Sequence, residues 1–567
     1  MMDPSRRILL HVVAAAVLLT GLNALKPIHA DDPVYLRYGA EFAAHPLNPY
    51  GFQYGSPLSD SANATLVPPV FEYWLAAGTL LVGDNPTLLK LWLFPFALSF
   101  AAAISSLAGR FAPTLRIPLL WLIVMSPSIL PSFNVMLDVP VLAIGMTALA
   151  VAMRALDRDS WTLTLLAGVL AGLAIQTKYT GLVSMAAIVV WCVIHGRIVR
   201  GLVVAALALT LAVGWECFVA SVQGDSHFMI HLRIRQGHFF TRCARLVLPL
   251  LSHVAGLGMA TALLGMAAFG AKRRSIVLAT LIAAASIAAL ALVPSQAPLI
   301  AGSDGKALLT ASNLIYGLLA IVVWSASIRV ALQMARHAVT DEDWRLNVFL
   351  LVWMALELGG YFALSPFPAA RRVAGFMIVF ALLAGRLATL RGVAPRSATW
   401  AACYSAALAL LVFVADYFDT RCGQNAAQIV ARGPHTPAPG GTYWYFSWVG
   451  FGYYAEREGL TPLAVNGQMP RPGDLVAIDD FTAGMLPTLP DMHLRLVETI
   501  AMNDSFPVKA TPGYCNGRTP LENCQGPRMR VMIYEVENQE IAMRTNRSNK
   551  ESHARSCVTQ ADPLGVE

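Results

Sequence analysis

The chain has 567 residues, of which 56% are hydrophobic and only 13% are charged. Average soluble domains carry about 25% charged residues, so an ordinary soluble enzyme is excluded. The net charge of +7 does not mark a nucleic-acid binder: most Lys and Arg fall in short loops between apolar runs, where they orient a membrane protein, and no Lys/Arg-aromatic pattern of a nucleic-acid surface accompanies them.

The apolar runs are about 16–22 residues long, enough to cross a ~30 Å hydrocarbon core. In chain order they predict thirteen spans, near 8–25, 86–108, 117–130, 138–153, 161–177, 180–195, 201–220, 246–270, 275–293, 312–330, 346–364, 373–390 and 398–416. The first, in "MMDPSRRILLHVVAAAVLLTGLNALKPIHA", imitates a signal peptide. The many spans behind it favour an uncleaved helix over cleavage after Ala30. With the N-terminus inside, every inner segment is basic, from Arg6 and Arg7 through Lys272, Arg273 and Arg274 to Arg386, Arg391 and Arg396, as the positive-inside rule requires. The odd number of spans then puts residues 417–567 outside.

The first outer segment, 26–85, is long and aromatic. Pro33–Ala44 and Pro69–Val82 read as helices lying in the membrane interface, with Phe71, Trp74, Leu75 and Leu81 toward lipid and Asp84 and Asn85 ending the segment. Asp32 before Pro33 is a good N-cap. That leaves Asp31 unexplained, and an acid at a membrane boundary is a candidate for function. The outer cations also break the charge trend. Lys178 lies in "QTKYT". The loop "QGDSHFMIHLRIRQGHFFTRCARL" carries Arg233, Arg235, Arg242 and Arg245. "SPFPAARRV" puts Arg371 and Arg372 at the mouth of a span. Several cations converging there point to a phosphate ligand, because guanidinium presents a fork of donors to its oxygens. His227 and His231 share a helical spacing, but no third ligand accompanies them, so no metal is expected.

The tail changes character. "ARGPHTPAPGG" reads as a linker, placing a transmembrane domain at 1–418, a linker at 419–440 and a small α/β or α+β domain at 441–567. "TYWYFSWVGF", "DLVAIDD", "LRLVETI" and "RMRVMIYEVE" read as strands and "GYYAEREGL" as a short helix. Of the eight cysteines, Cys192, Cys217, Cys243 and Cys403 lie in or beside spans. The four in the tail allow three pairings, with Cys515–Cys524 the first choice and Cys422–Cys557 the second.

Several motifs together resemble the GT-C glycosyltransferases of the protein O-mannosyltransferase type, and more closely their bacterial relatives that include the lipid A aminoarabinose transferase. They are the acid pair Asp31-Asp32 with Tyr35 after it, "LVPPVFEYWLAAGTLLVGDN", "SFNVMLDVPVLAIGMTALAVAMRAL" with Asp138, "AGLAIQTKYTGLV" with Lys178, "HFFTRCARL" and "WVGFGYYAEREGLTPL". Their order along the chain and the matching topology carry the resemblance. It implies a GT-C fold of about thirteen transmembrane helices and a terminal extracytoplasmic domain. It also implies inverting transfer of a sugar from a polyprenyl-phosphate donor to an acceptor glycan, lipid or protein at the outer face of the plasma (inner) membrane. Asp31 would be the general base, supported by Asp32. Lys178, Arg242, Arg371 and Arg372 would hold the donor phosphate, and Tyr35, Asp138 and His238 would line the substrate pocket. No cofactor is implied. The chain departs from the family in having Asp-Asp where many relatives have Asp-Glu, and Val67 where many have a polar residue before Pro-Pro. A flippase for a lipid-linked sugar and a non-catalytic scaffold are the alternatives; the Ala/Leu/Val-rich spans favour chemistry at the surface over a polar route through the membrane.

Overall fold

The computed structural model describes residues 3–56, 59–64, 68–235, 239–292, 311–336, 340–447, 449–463, 469–483, 492–511, 514, 519–524 and 526–537. The chain divides into two compact units. One comprises Met1–Phe52, Ser61–Arg421 and Asp504–Gly526; the other comprises Gln53–Asp60, Cys422–Asn503 and Pro527–Glu567.

The first unit is helical. Among the described residues of the chain, nine helices are long and apolar enough to cross a membrane: Pro4–Ala24, Pro86–Phe111, Asp138–Asp157, Ile198–Gln223, Phe240–Ala268, Asn313–Arg336, Asp341–Leu364, Ala370–Leu390 and Pro395–Arg432. Shorter apolar helices at Pro113–Val124, Trp161–Thr177, Gly181–Ile194 and Arg274–Leu290 occupy the other expected positions. Close packing uses small residues, as apolar helices in lipid require. A Cβ at Gly172 would lie 3.2 Å from the Ala208 backbone, and one at Gly168 would lie 3.3 Å from that of Val204.

Two short helices, Asp32–Ala44 and Pro69–Val82, follow the first span and pack on each other. At their crossing a Cβ on Gly39 would stand 2.7 Å from that of Leu75, so glycine is what allows the approach. This crossing corrects the orientation read from the sequence. Phe71 and Leu75 are buried in it, and Leu80 and Leu81 carry the exposed face. Asn85 does cap the next helix, accepting from the Thr87 and Leu88 amides. The helix Pro395–Arg432 runs through most of the expected linker to Gly433. Nothing before Gly433-Pro434 stops a helix, and Cys422, Ala426, Ala427 and Val430 give its last turns an apolar stripe.

The second unit holds a five-stranded mixed sheet, in the order Thr461–Pro462, Tyr443–Phe446, Leu475–Asp479, Met529–Val536 and Leu494–Met502. The first three strands pair in parallel and the last two add antiparallel. Leu475–Asp479 is buried along its whole length, as a central strand covered on both faces must be. Alternation sends Tyr445, Ala477 and Val531 into one apolar cluster, with Phe451 and Val430, and sends Trp444, Phe446, Val476 and Ile478 into another. Gly450–Arg457 is the expected short helix. The Cys515–Cys524 and Cys422–Cys557 pairings each involve a cysteine outside the described residues.

Candidate active site

Four elements of the first unit bring their ends together. Asp31 precedes the helix Asp32–Ala44, Asp138 opens the helix Asp138–Asp157, Lys178 caps the end of Trp161–Thr177, and Arg371 lies in the single turn Ala370–Val373 before Ala374–Leu390. An acid at a helix start and a cation at a helix end suit the helix dipole. Arginines at a helix start do not, and here carboxylates compensate them. Arg371 Nη2 donates to Asp31 Oδ2 at 2.7 Å, and its Nε lies 3.7 Å from Asp138 Oδ2. Its Nη1 is 3.0 Å from Met136 Sδ. Lys178 Nζ donates to Asp138 Oδ1. Arg372 stands 4.3 Å over the Phe367 ring, with its Nε unpartnered and within electrostatic reach of Asp138 and Asp31. Three cations thus face two carboxylates.

Tyr35 sits one turn along from Asp31, its ring edge-on to Phe71 at 6.0 Å. Burial, with Asp31 beside it, pushes its phenol well above 10, so it stays protonated. Burial also draws the Lys178 ammonium down to about 8, against the opposing pull of Asp138.

Asp32 differs from its neighbour. It does not cap the helix. It is the first helical residue, and its carboxylate accepts the His29 amide at 3.3 Å and lies 3.8 Å from Lys90 Nζ. This opens a second, buried network that local patterns do not reveal. Lys90 donates to the Lys26 and Pro27 carbonyls. Lys26 Nζ and His29 Nε2 both reach Asp416 Oδ2, at 2.7 and 3.3 Å. Thr511 donates to the other oxygen of Asp416, and the Ala510 and Thr511 amides donate to Asp419. A lysine inside an apolar run was the available signal for Lys90. Asp416 had none, since it closes the last span like any surface acid.

Of the remaining expected residues, Arg242 instead donates to the Ala363 carbonyl at 3.3 Å, and His238 lies outside the described residues. His227 belongs to a separate arrangement, in which Tyr179 Oη contacts its Nδ1 at 2.6 Å and donates to Glu216 at 2.9 Å. No group of three or more His, Cys, Asp or Glu able to hold a metal occurs among the described residues.

No family model and no curated protein matches the chain. Solved structures do. An oligosaccharyltransferase from Archaeoglobus fulgidus superposes with a TM-score of 0.44 at 14% identity, over 84% of this chain and 68% of that one. ArnT from Cupriavidus metallidurans does so with a TM-score of 0.38 at 14% identity, over 94% and 98%. The arabinofuranosyltransferase AftD from Mycobacteria gives 0.40 at 14%, over 95% of this chain and 40% of that one. Superposition at this level is too loose for a residue-by-residue correspondence.

Proposed function

We propose that the protein is a polytopic membrane glycosyltransferase of the GT-C type, moving a sugar from a polyprenyl-phosphate donor to an acceptor hydroxyl at the outer face of the membrane. The observation that carries this reading is the set Asp31, Arg371, Arg372, Asp138 and Lys178: one half-exposed carboxylate against a cation group with one positive charge in excess. A phosphate anion compensates that excess.

In this reading the acceptor oxygen attacks the anomeric carbon while Asp31 takes its proton, which needs hydrogen-bond reach and an unprotonated carboxylate. Arg371 holds that carboxylate turned toward the cations. The bond from the anomeric carbon to the phosphate oxygen breaks on the opposite side, so configuration inverts. The charge that develops on the leaving phosphate is met by Arg371, Arg372 and Lys178, which are already fixed in place and need little reorganisation. Asp138 keeps Lys178 and Arg371 together before the donor arrives. The N-terminus lies in the cytoplasm and the sheet unit outside. The opposite helix ends carry the pairs Arg110–Asp157, Arg200–Asp159 and Arg386–Asp343, and the arginines of these pairs supply the inner basic charge.

The test is mass spectrometry of lipids co-purifying with the full chain in mild detergent. Polyprenyl phosphate or its monoglycosylated form supports the reading. Ordinary phospholipids alone overturn the donor assignment, and a polyprenyl pyrophosphate bearing an oligosaccharide redirects it to a different lipid-linked substrate.

A further inference from the structure

One carboxyl near the site is used by nothing described so far. Glu72, on the helix Pro69–Val82, is 0% exposed, and neither of its side-chain oxygens has a hydrogen-bond partner. A buried carboxyl left without partners is costly, and native structures rarely tolerate one without a use. Its position is enforced rather than accidental. Pro68-Pro69 fixes the start of the helix, and the Gly39–Leu75 crossing clamps the turn that follows. Its electrostatic neighbours are the phenols of Tyr35 and Tyr50 rather than a cation. Tyr35 in turn feels Asp31, Arg371, Asp138 and Glu72 together. Phe71, the residue before Glu72 on the same helix, meets the Tyr35 ring edge-on, so the unpartnered carboxyl adjoins an aromatic contact at the margin of the charged group.

We propose that Glu72 binds the sugar of the donor, with its buried carboxyl exchanging hydrogen bonds with a sugar hydroxyl. A protonated carboxyl both donates and accepts, as a hydroxyl does. A phosphate offers acceptor oxygens and negative charge, and it belongs with the arginines. Burial supports the assignment by pushing the carboxyl of Glu72 well above its ordinary range, which keeps the proton on. Aromatic faces beside a single polar group also suit a sugar ring, which has apolar faces and polar edges.

This inference rests on the proposed donor, and the experiment separates the two. Full-length wild type, Glu72→Gln and Glu72→Ala are purified and presented with polyprenyl phosphate and with a panel of polyprenyl-phosphate monosaccharides, and the retention of each is measured. Wild type is expected to prefer one glycosylated lipid over the bare one. Glu72→Ala is expected to lose that preference by about tenfold, the scale of one or two hydrogen bonds, and to retain bare polyprenyl phosphate unchanged. Glu72→Gln, which still donates and accepts, is expected to restore most of it. Equal preference in wild type and Glu72→Ala overturns the inference and leaves a carboxyl satisfied by water. Equal loss of both lipids in Glu72→Ala and Glu72→Gln also overturns it, as a structural role. Failure of wild type to retain any of these lipids overturns the donor assignment itself.

Discussion

Asp31 and Asp32 are covalent neighbours with opposite surroundings. The Asp31 side chain is 43% exposed and meets Arg371 at the edge of a cation group. The Asp32 side chain is 0% exposed, held by a backbone amide and Lys90. Asp31 meets Arg371 and keeps the rest of its carboxylate open to solvent. Asp32 is enclosed, and through Lys90 and His29 it joins a network that reaches Asp416. One peptide bond thus separates a half-exposed carboxylate, the proposed base, from one enclosed in the scaffold. What distinguishes them is which way the first helical turn points each side chain, since residue type and position are almost the same.

The sharpest way to break this contrast is to neutralise each acid alone. Asp31→Asn is expected to lower sugar transfer by about 10²–10⁴-fold, the range of a lost general base, with the unfolding midpoint unchanged. Asp32→Asn is expected to do the reverse. It leaves Lys90 buried without its charge partner, a change of about 3–5 kcal/mol in stability, read from detergent-dependent thermal unfolding. If Asp31→Asn unfolds the protein, or Asp32→Asn leaves its stability intact, the distinction between the two falls.

A smaller effect sharpens the cationic side. Arg372 has a free Nε and an aromatic support rather than a carboxylate of its own. Arg372→Ala is expected to reduce retention of bare polyprenyl phosphate by about tenfold or more, since it removes charge-assisted hydrogen bonds, with the fold preserved. Unchanged retention assigns the phosphate to Arg371 and Lys178 alone. The smallest effect is in pH. Lys178 titrates near 8 in the folded protein and near 10.5 unfolded. Between those values the unfolded chain binds more protons, so this group makes stability rise with pH, fully so by about pH 10.5. Lys178→Met is expected to flatten that rise in a pH series of unfolding midpoints.

The spans and the sheet were legible because they are periodic. Apolar runs of membrane length and alternating strands such as "DLVAIDD" declare themselves locally. Lys178 and Arg371 were legible as cations that break the charge trend, Asp31 as an acid that the helix start left unexplained, and Asp138 only through the family resemblance; the structure brings those four together. The buried network was not legible. Lys26 and Asp416 are 390 residues apart, and each looks ordinary at the end of its own span. Asp32 was read as an N-cap, because Asp-Pro starts helices; its side chain turns to Lys90 and the His29 amide instead. Phe71 and Leu75 were assigned to lipid because an apolar face has no label that says which partner covers it.

Residues 504–526 belong to the helical unit although they follow most of the sheet unit in the chain. Asp416 therefore leaves the ribosome 95 residues before Thr511, which completes its hydrogen bonding. At about 5–20 residues per second this interval lasts roughly 5–20 s. During it, the carboxylate that anchors Lys26 and His29 stands without one of its lasting partners. The helical unit is thus finished late, by a segment that follows most of the sheet unit in the sequence. A stop codon placed after the last span would yield a helix bundle complete in its spans and still unfinished beside Asp32.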